Sequence, residues 1–376
     1  MEELRKFITV IIIGMLFLET SSLKISAADI GVTNGTVTAN TYTQDNNSLA
    51  SFVKVTNVAN VSTQNVNKFI SQAQSVIKET RGTSQSSDFS QMLVANKEVY
   101  DYFYIDEANK DLYFYEDSSN SNPIAKIVDL NTHSSIDTSV KSSSNSMYTQ
   151  NLASLAPISG GMGARATVPS GNLLEARIHT DNNIKQLNAN TGTTYTYVGF
   201  TGATEVDAGL QYSPLNPTSN GHQVWKPYLK LGSKDPWSTD TMLDGYDAVQ
   251  FQNGYIPGEE VQVSFWKNYV HDNVKTTRLK LQGLAKCANS TCSNASPTKL
   301  AVIMEKNGTG IANIDSYKIL ATIADIKDTN TKASGVVKAS VTNITVDGVP
   351  KTPTQAAKSA NSSMSVSSNS VTFNIK

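Results

Sequence analysis

From about residue 155 onward the chain reads as strand after strand, and no helix-period stretch of comparable length interrupts the run. Candidate strands are Ala164 to Val168, Leu173 to His179, Thr193 to Phe200, Glu205 to Tyr212, Val224 to Leu231, Ala248 to Gln252, Glu260 to Tyr269 and Thr276 to Leu284. Leu300 to Glu305, Tyr317 to Asp325, Gly335 to Val346 and Ser370 to Ile375 continue the series. Turn residues punctuate it: Asn253-Gly254, Pro257-Gly258, Asn307-Gly308 and Asp347-Gly348. A strand has one face to bury, so so many short strands in a row must pack sheet on sheet. The predicted class is mainly β, a large antiparallel sandwich or jelly roll over residues 153–376.

The N-terminal part is organised differently. Val66, Phe69, Ile70, Ala73, Val76 and Ile77 recur at helical spacing, with Ser62 or Thr63 as cap and Gly82 as stop. An aromatic hairpin follows, Val99 to Ile105 and Leu112 to Tyr115 around a turn at 106–110, with a third strand at Ile124 to Leu130. These predict a small α+β domain over 29–130. Residues 131–152 are Ser-, Thr- and Asn-rich with few core anchors, and read as a linker.

Residues 1–28 read as a signal peptide. Arg5 and Lys6 precede the apolar run Phe7 to Leu18, and Ser26-Ala27-Ala28 offers small residues for cleavage before Asp29. The apolar run is short for a bilayer span, so no membrane association is expected once it is removed. Charged residues are 17% and the net charge is −1, which argues against a nucleic-acid partner, because phosphate neutralisation needs a basic surplus. Cys287 and Cys292, the two cysteines, are close in a polar stretch; in an exported chain that spacing suggests a small disulfide loop.

Three stretches carry a family resemblance: Ser159-Gly-Gly-Met-Gly-Ala-Arg-Ala-Thr167, Glu205-Val-Asp-Ala-Gly-Leu-Gln-Tyr212 and Trp225-Lys-Pro-Tyr-Leu-Lys230. They resemble the YrpD-like secreted proteins of bacilli over roughly residues 155–350. The resemblance implies a secreted protein of a Gram-positive bacterium and brings no activity with it. The strand pattern also resembles concanavalin A-like sandwiches, a fold analogy that fits lectins and polysaccharide-degrading enzymes alike.

Candidate chemistry is sparse. Along Glu260 to Tyr269, period-2 alternation puts Gln262, Ser264, Trp266 and Asn268 on one face. A Trp among amides and hydroxyls is the make-up of a sugar platform, the indole stacking on the ring and the amides bonding its hydroxyls. Trp225 and Tyr228 lie near in sequence and join the candidate ligand-binding set. For a polysaccharide lyase, Arg177 and His179 share a strand face, with Tyr228 to complete an acid–base set. For a glycoside hydrolase, Glu205 and Asp207 share a face, but Gly209 stands where a second required carboxylate belongs. Asp240, Asp244 and Asp247 cluster with Gly245 as candidate Ca²⁺ ligands, and no other cofactor is expected. The expectation is a secreted, non-catalytic protein whose partner is an extracellular polysaccharide or cell-wall glycan. The alternatives are a structural or interaction protein of the bacterial surface or matrix, and a lyase or hydrolase on the same fold.

Overall fold

A computed structural model describes residues 39–42, 53–57, 61–83, 98–106, 109, 111–116, 123–129, 161–181, 185–186, 193–202, 206–212, 224–231, 241–244, 253–271, 273–287, 297–307, 314–324 and 335–376. The signal-peptide reading (1–28), the linker reading (131–152) and the strand expected at 248–252 lie outside the described residues.

In chain order the N-terminal part holds β1 (Ala39–Tyr42), β2 (Val53–Asn57), α1 (Thr63–Thr83), β3 (Val99–Asp106), β4 (Asp111–Glu116) and β5 (Ile124–Asp129). Then come β6 (Gly161–Pro169), β7 (Leu173–Thr180), β8 (Lys185–Gln186), β9 (Thr193–Gly202), β10 (Val206–Tyr212), β11 (Lys226–Leu231), β12 (Thr241–Asp244) and β13 (Asn253–Tyr255). The remainder is β14 (Glu260–His271), β15 (Val274–Cys287), β16 (Thr298–Asn307), β17 (Ile314–Ala324), β18 (Gly335–Val346), β19 (Val349–Pro350), β20 (Thr354–Lys358), β21 (Ser362–Ser367) and β22 (Ser370–Ile375).

Two sheets form. The larger runs β1-β2-β5-β4-β3-β16-β15-β14-β7-β18-β22-β21, and a seven-stranded sheet runs β12-β11-β10-β9-β17-β6-β20. Alternation works as expected: Val261, Val263 and Phe265 of β14, Leu279 and Leu281 of β15, and Ile319 and Ala321 of β17 all point into one shared core. The architecture is a mainly-β sandwich.

The helix and hairpin form where the periodicity puts them. The Ser62 Oγ accepts the Asn65 N–H at 3.3 Å, a serine N-cap, and the helix takes in Gly82 in its last turn before ending at Thr83. The strands of this part, drawn from sequence as a unit of their own, are continuous with the large sheet. β3 pairs in parallel with β16, from Val99 opposite Leu300 to Ile105 opposite Lys306. Phe103, Ile105, Leu112 and Phe114 therefore enter the main core, while Tyr100, Tyr102, Tyr113 and Tyr115 face the helix. Each apolar side chain that the helix buries there is worth about 1.5–3 kcal/mol.

One turn fixes the approach to β7. Asp347 and Gly348 adopt φ of 51° and 75°, the left-handed pair that an Asp-Gly hairpin turn requires. The Asp347 carboxylate then accepts the Leu173 N–H at 2.9 Å and the Asn172 N–H at 3.0 Å.

Candidate functional site

The large sheet has an outward face that the core does not use. Across β7, β14 and β15, outward side chains line up in rows set by register: Arg177, Gln262 and Gln282; then Glu175, Ser264 and Lys280; then Trp266 and Arg278. Beyond β15 the same rows continue into Ala301, Ile303 and Glu305 of β16, and there α1 covers them. The face is thus half roofed by the helix and half open. Gln262, Ser264 and Trp266 are all half-buried on the open side.

Trp266 stands at the border. The Arg278 guanidinium lies 3.9 Å above the Tyr269 ring and 5.6 Å from the Trp266 ring centre, with the two rings edge to face at 5.4 Å. Arg278 Nε pairs with Glu305 Oε1 at 3.2 Å, both side chains being almost wholly buried. The other Glu305 oxygen accepts the Tyr102 hydroxyl at 2.8 Å, and that hydroxyl in turn accepts Gln72 Nε2 of the helix at 2.7 Å. The Tyr269 hydroxyl donates to Glu79 of the same helix. Burial first, then the Glu305 charge, pushes the Tyr102 hydroxyl well above its ordinary value, so it stays a donor. The network links the helix to the base of the tryptophan.

Alternation misplaced one residue here. Trp266 pairs with Arg278 but Tyr269 with Thr276, so one extra residue is inserted on β14, a bulge. The rephasing brings Tyr269 to Arg278 beside Trp266. Asn268, expected on that face, falls within the irregular stretch, and its backbone N–H is bonded to Asn172 Oδ1 at 3.2 Å. A bulge leaves no periodic signature, so Tyr269 was missed.

The two remaining ligand candidates are elsewhere. Trp225 is 1% exposed and packs in the core against Tyr212, ring centres 5.3 Å apart; no ligand can stack on it. Tyr228 is on the outward face of the other sheet, so it cannot join Trp266.

The lyase set is likewise divided. Arg177 and His179 do converge, on Glu260: Arg177 Nη1 is 3.1 Å from Oε1 and His179 Nε2 is 2.9 Å from Oε2. Tyr228, cast as their acid–base partner, lies across the full thickness of the sandwich on β11. For the hydrolase pair, Glu205 lies outside the described residues, and the Asp207 carboxylate is tied to Lys318 Nζ at 2.5 Å.

The seven-stranded sheet has an outward face of another kind. The three stretches that carry the family resemblance fall on β6, β10 and β11, all in this sheet. One outward row reads Tyr228, Gly209, Tyr197, Leu320, Arg165 across β11, β10, β9, β17 and β6. Tyr195 and Tyr228 ring centres are 4.9 Å apart, and Tyr197 meets each at 6.2 Å. A Cβ on Gly209 would come within 2.6 Å of the Tyr197 Cα, which explains the glycine in that position. Gln211 Nε2 donates to the Tyr195 hydroxyl at 3.4 Å. Tyr195, Tyr197 and Tyr228 are nonetheless 3%, 8% and 4% exposed: this face is closed.

Of the Ca²⁺ candidates, Asp240 and Asp247 lie outside the described residues, and Asp244 is known as the β12 residue opposite Tyr228. Cys287 ends β15, buried, while Cys292 lies outside the described residues.

The fold and the placement of these motifs define the class, a mainly-β sandwich with a family-bearing C-terminal part. The chain belongs to the family described as "Domain of unknown function, YrpD", whose model matches residues 155–375. A relative in Bacillus subtilis (strain 168), "Uncharacterized protein YrpD", is 32% identical over 221 residues, 58% of this chain and 83% of that protein. Among solved structures, scytalido-glutamic peptidase with a transition-state-analogue inhibitor aligns at 8% identity and TM-score 0.34, over 57% of this chain and 97% of that one. SCP-B, a member of the Eqolisin family of peptidases in complex with a tripeptide, aligns at 8% identity and TM-score 0.30, with the same coverage.

Proposed function

We propose that this chain is an exported, non-catalytic binding protein of a Gram-positive bacterium that holds an extracellular polysaccharide or cell-wall glycan on the open half of the large sheet. The observation that carries the reading is the half-exposed Trp266 with outward Gln262 and Ser264 on the same strand. An indole held by Arg278 and Tyr269 offers a pre-positioned stacking surface, and the amide and hydroxyl beside it can bond sugar hydroxyls. The Ser26-Ala27-Ala28 sequence supports export with cleavage before Asp29. Pairing of Cys287 with Cys292 belongs to the same reading, since an oxidising exterior favours it.

The test is a pull-down of mature residues 29–376 on insoluble polysaccharides and cell-wall sacculi, with Trp266→Ala alongside. Retention of wild type on at least one polymer, lost in a folded Trp266→Ala variant, is expected. A folded wild type retained by none of them overturns the reading.

A further inference from the structure

We propose that the glycan held beside Trp266 is an acidic one, whose carboxylate or phosphate seats against the ammonium of Lys280. The inference rests on the glycan reading above and names its substrate class.

Lys280 projects outward from β15, since its neighbours Leu279 and Leu281 are in the core. It stands opposite Ser264 on one side and Ile303 on the other. Trp266 pairs with Arg278, so Trp266 and Lys280 are diagonal neighbours, about 7–8 Å apart along the sheet. A sugar stacked on the indole therefore has its exocyclic acid group within reach of Lys280 Nζ.

Four cations bracket this strip, and three are already matched. Arg177 is on Glu260 at 3.1 Å, Arg278 on Glu305 at 3.2 Å and Lys299 on Glu98 at 3.2 Å. No hydrogen bond or ion pair among the described residues reaches Lys280. It is half-buried, and burial, reinforced by Arg278 and Lys299, pulls its ammonium below the ordinary lysine value against the opposing pull of Glu98 and Glu175. A cation partly withdrawn from water and held in no ion pair gains more from an incoming anion than a solvated one does. Glu175 lies two strands away in the same row, exposed, and repels an anion arriving there. A lysine head is a compact point charge, so it suits either a uronate carboxylate or a polymer phosphate.

The experiment measures binding of the mature chain to polygalacturonate, to its methyl-esterified neutral form, and to a purified wall teichoic acid. Lys280→Gln, Lys280→Arg, Glu175→Gln, Trp266→Ala and Lys338→Gln are compared, the last being an exposed lysine on β18 of the same sheet. Expected are at least about tenfold tighter binding to one acidic polymer than to the neutral one, and a loss of about tenfold in Lys280→Gln. Lys280→Arg should retain binding, Glu175→Gln should tighten it, and Lys338→Gln should leave it unchanged. Which acidic polymer binds separates a carboxylate from a phosphate ligand. Equal binding to the neutral polymer, or equal losses in Lys280→Gln and Lys338→Gln, overturns the acidic assignment. In that case sensitivity to Trp266→Ala still upholds the glycan reading. A folded wild type that binds no polymer, these or the neutral sacculus and cellulose controls, overturns both.

Discussion

The two sheets turn similar residues outward and treat them in opposite ways. On the seven-stranded sheet Tyr195, Tyr197 and Tyr228 lie ring against ring beside Gly209 and are almost wholly buried. On the large sheet the helix roofs only the β3–β5 and β16 half, and Trp266 stays half-open at its edge. Aromatic residues beside amides on a strand therefore do not mark a binding surface by themselves. What matters is whether neighbouring rings or another element complete their burial. The closed face is expected to answer to mutation as core, the open one as surface.

The largest effect should come where the two halves of the large sheet meet. Arg278→Ala leaves Glu305 buried without its cation, which should cost about 3–5 kcal/mol, read by denaturant unfolding. A loss below about 1 kcal/mol would mean that the helix is not anchored through this pair.

Next is the closed face. Tyr197→Ala should cost about 3 kcal/mol as a large-to-small change in a packed cluster, and Gly209→Ala about 1–3 kcal/mol by overpacking against Tyr197. If thermal unfolding shows both near-neutral, the tyrosine face is open after all and the contrast collapses.

Alkaline titration probes the roofed half. Burial first, then the Asp106 charge, pushes the Tyr104 hydroxyl up to about 12, and Tyr102 is raised as well. An unfolded tyrosine ionises near 10. The folded chain keeps these groups neutral longer, so their stabilisation is whole below about pH 10 and is lost as pH rises toward 12. The denaturation midpoint should fall across that window, with part of the tyrosinate absorbance appearing only on unfolding. A midpoint independent of pH there would contradict the burial of this half.

The smallest effect on stability should be at Trp266. Trp266→Ala removes a half-exposed ring and a cation–π contact, about 1 kcal/mol, while abolishing glycan retention. A cost equal to that of Tyr197→Ala would make Trp266 core and erase the distinction between the faces.

Element types were legible where local pattern is strong. Helix α1 followed from Val66, Phe69, Ile70, Ala73, Val76 and Ile77, and most strands from alternation. β20 and β21 escaped notice because they are edge strands, rich in Gln, Lys and Ser, and edges are kept polar to discourage further pairing. At the candidate site period 2 puts Gln262 and Trp266 on one face, and the bulge that follows brings in Tyr269 without a periodic signal. Trp225 and Tyr228 were misjudged because neighbourhood in sequence says nothing about which side of which sheet a residue faces.

The residue pattern alone carries the dominance of strands, the place of the helix, the side chains that share a face wherever no bulge intervenes, and the family motifs. These are local properties, set by a period of two or 3.6 residues and by turn chemistry. It took the assembled chain to show that β3 docks on β16, that the family motifs gather in the seven-stranded sheet, that Arg177 and His179 meet on Glu260 far from Tyr228, and that Trp266 remains partly open beside Lys280. Those outcomes depend on pairings between residues up to about two hundred positions apart, and on what covers a face, neither of which a local period encodes.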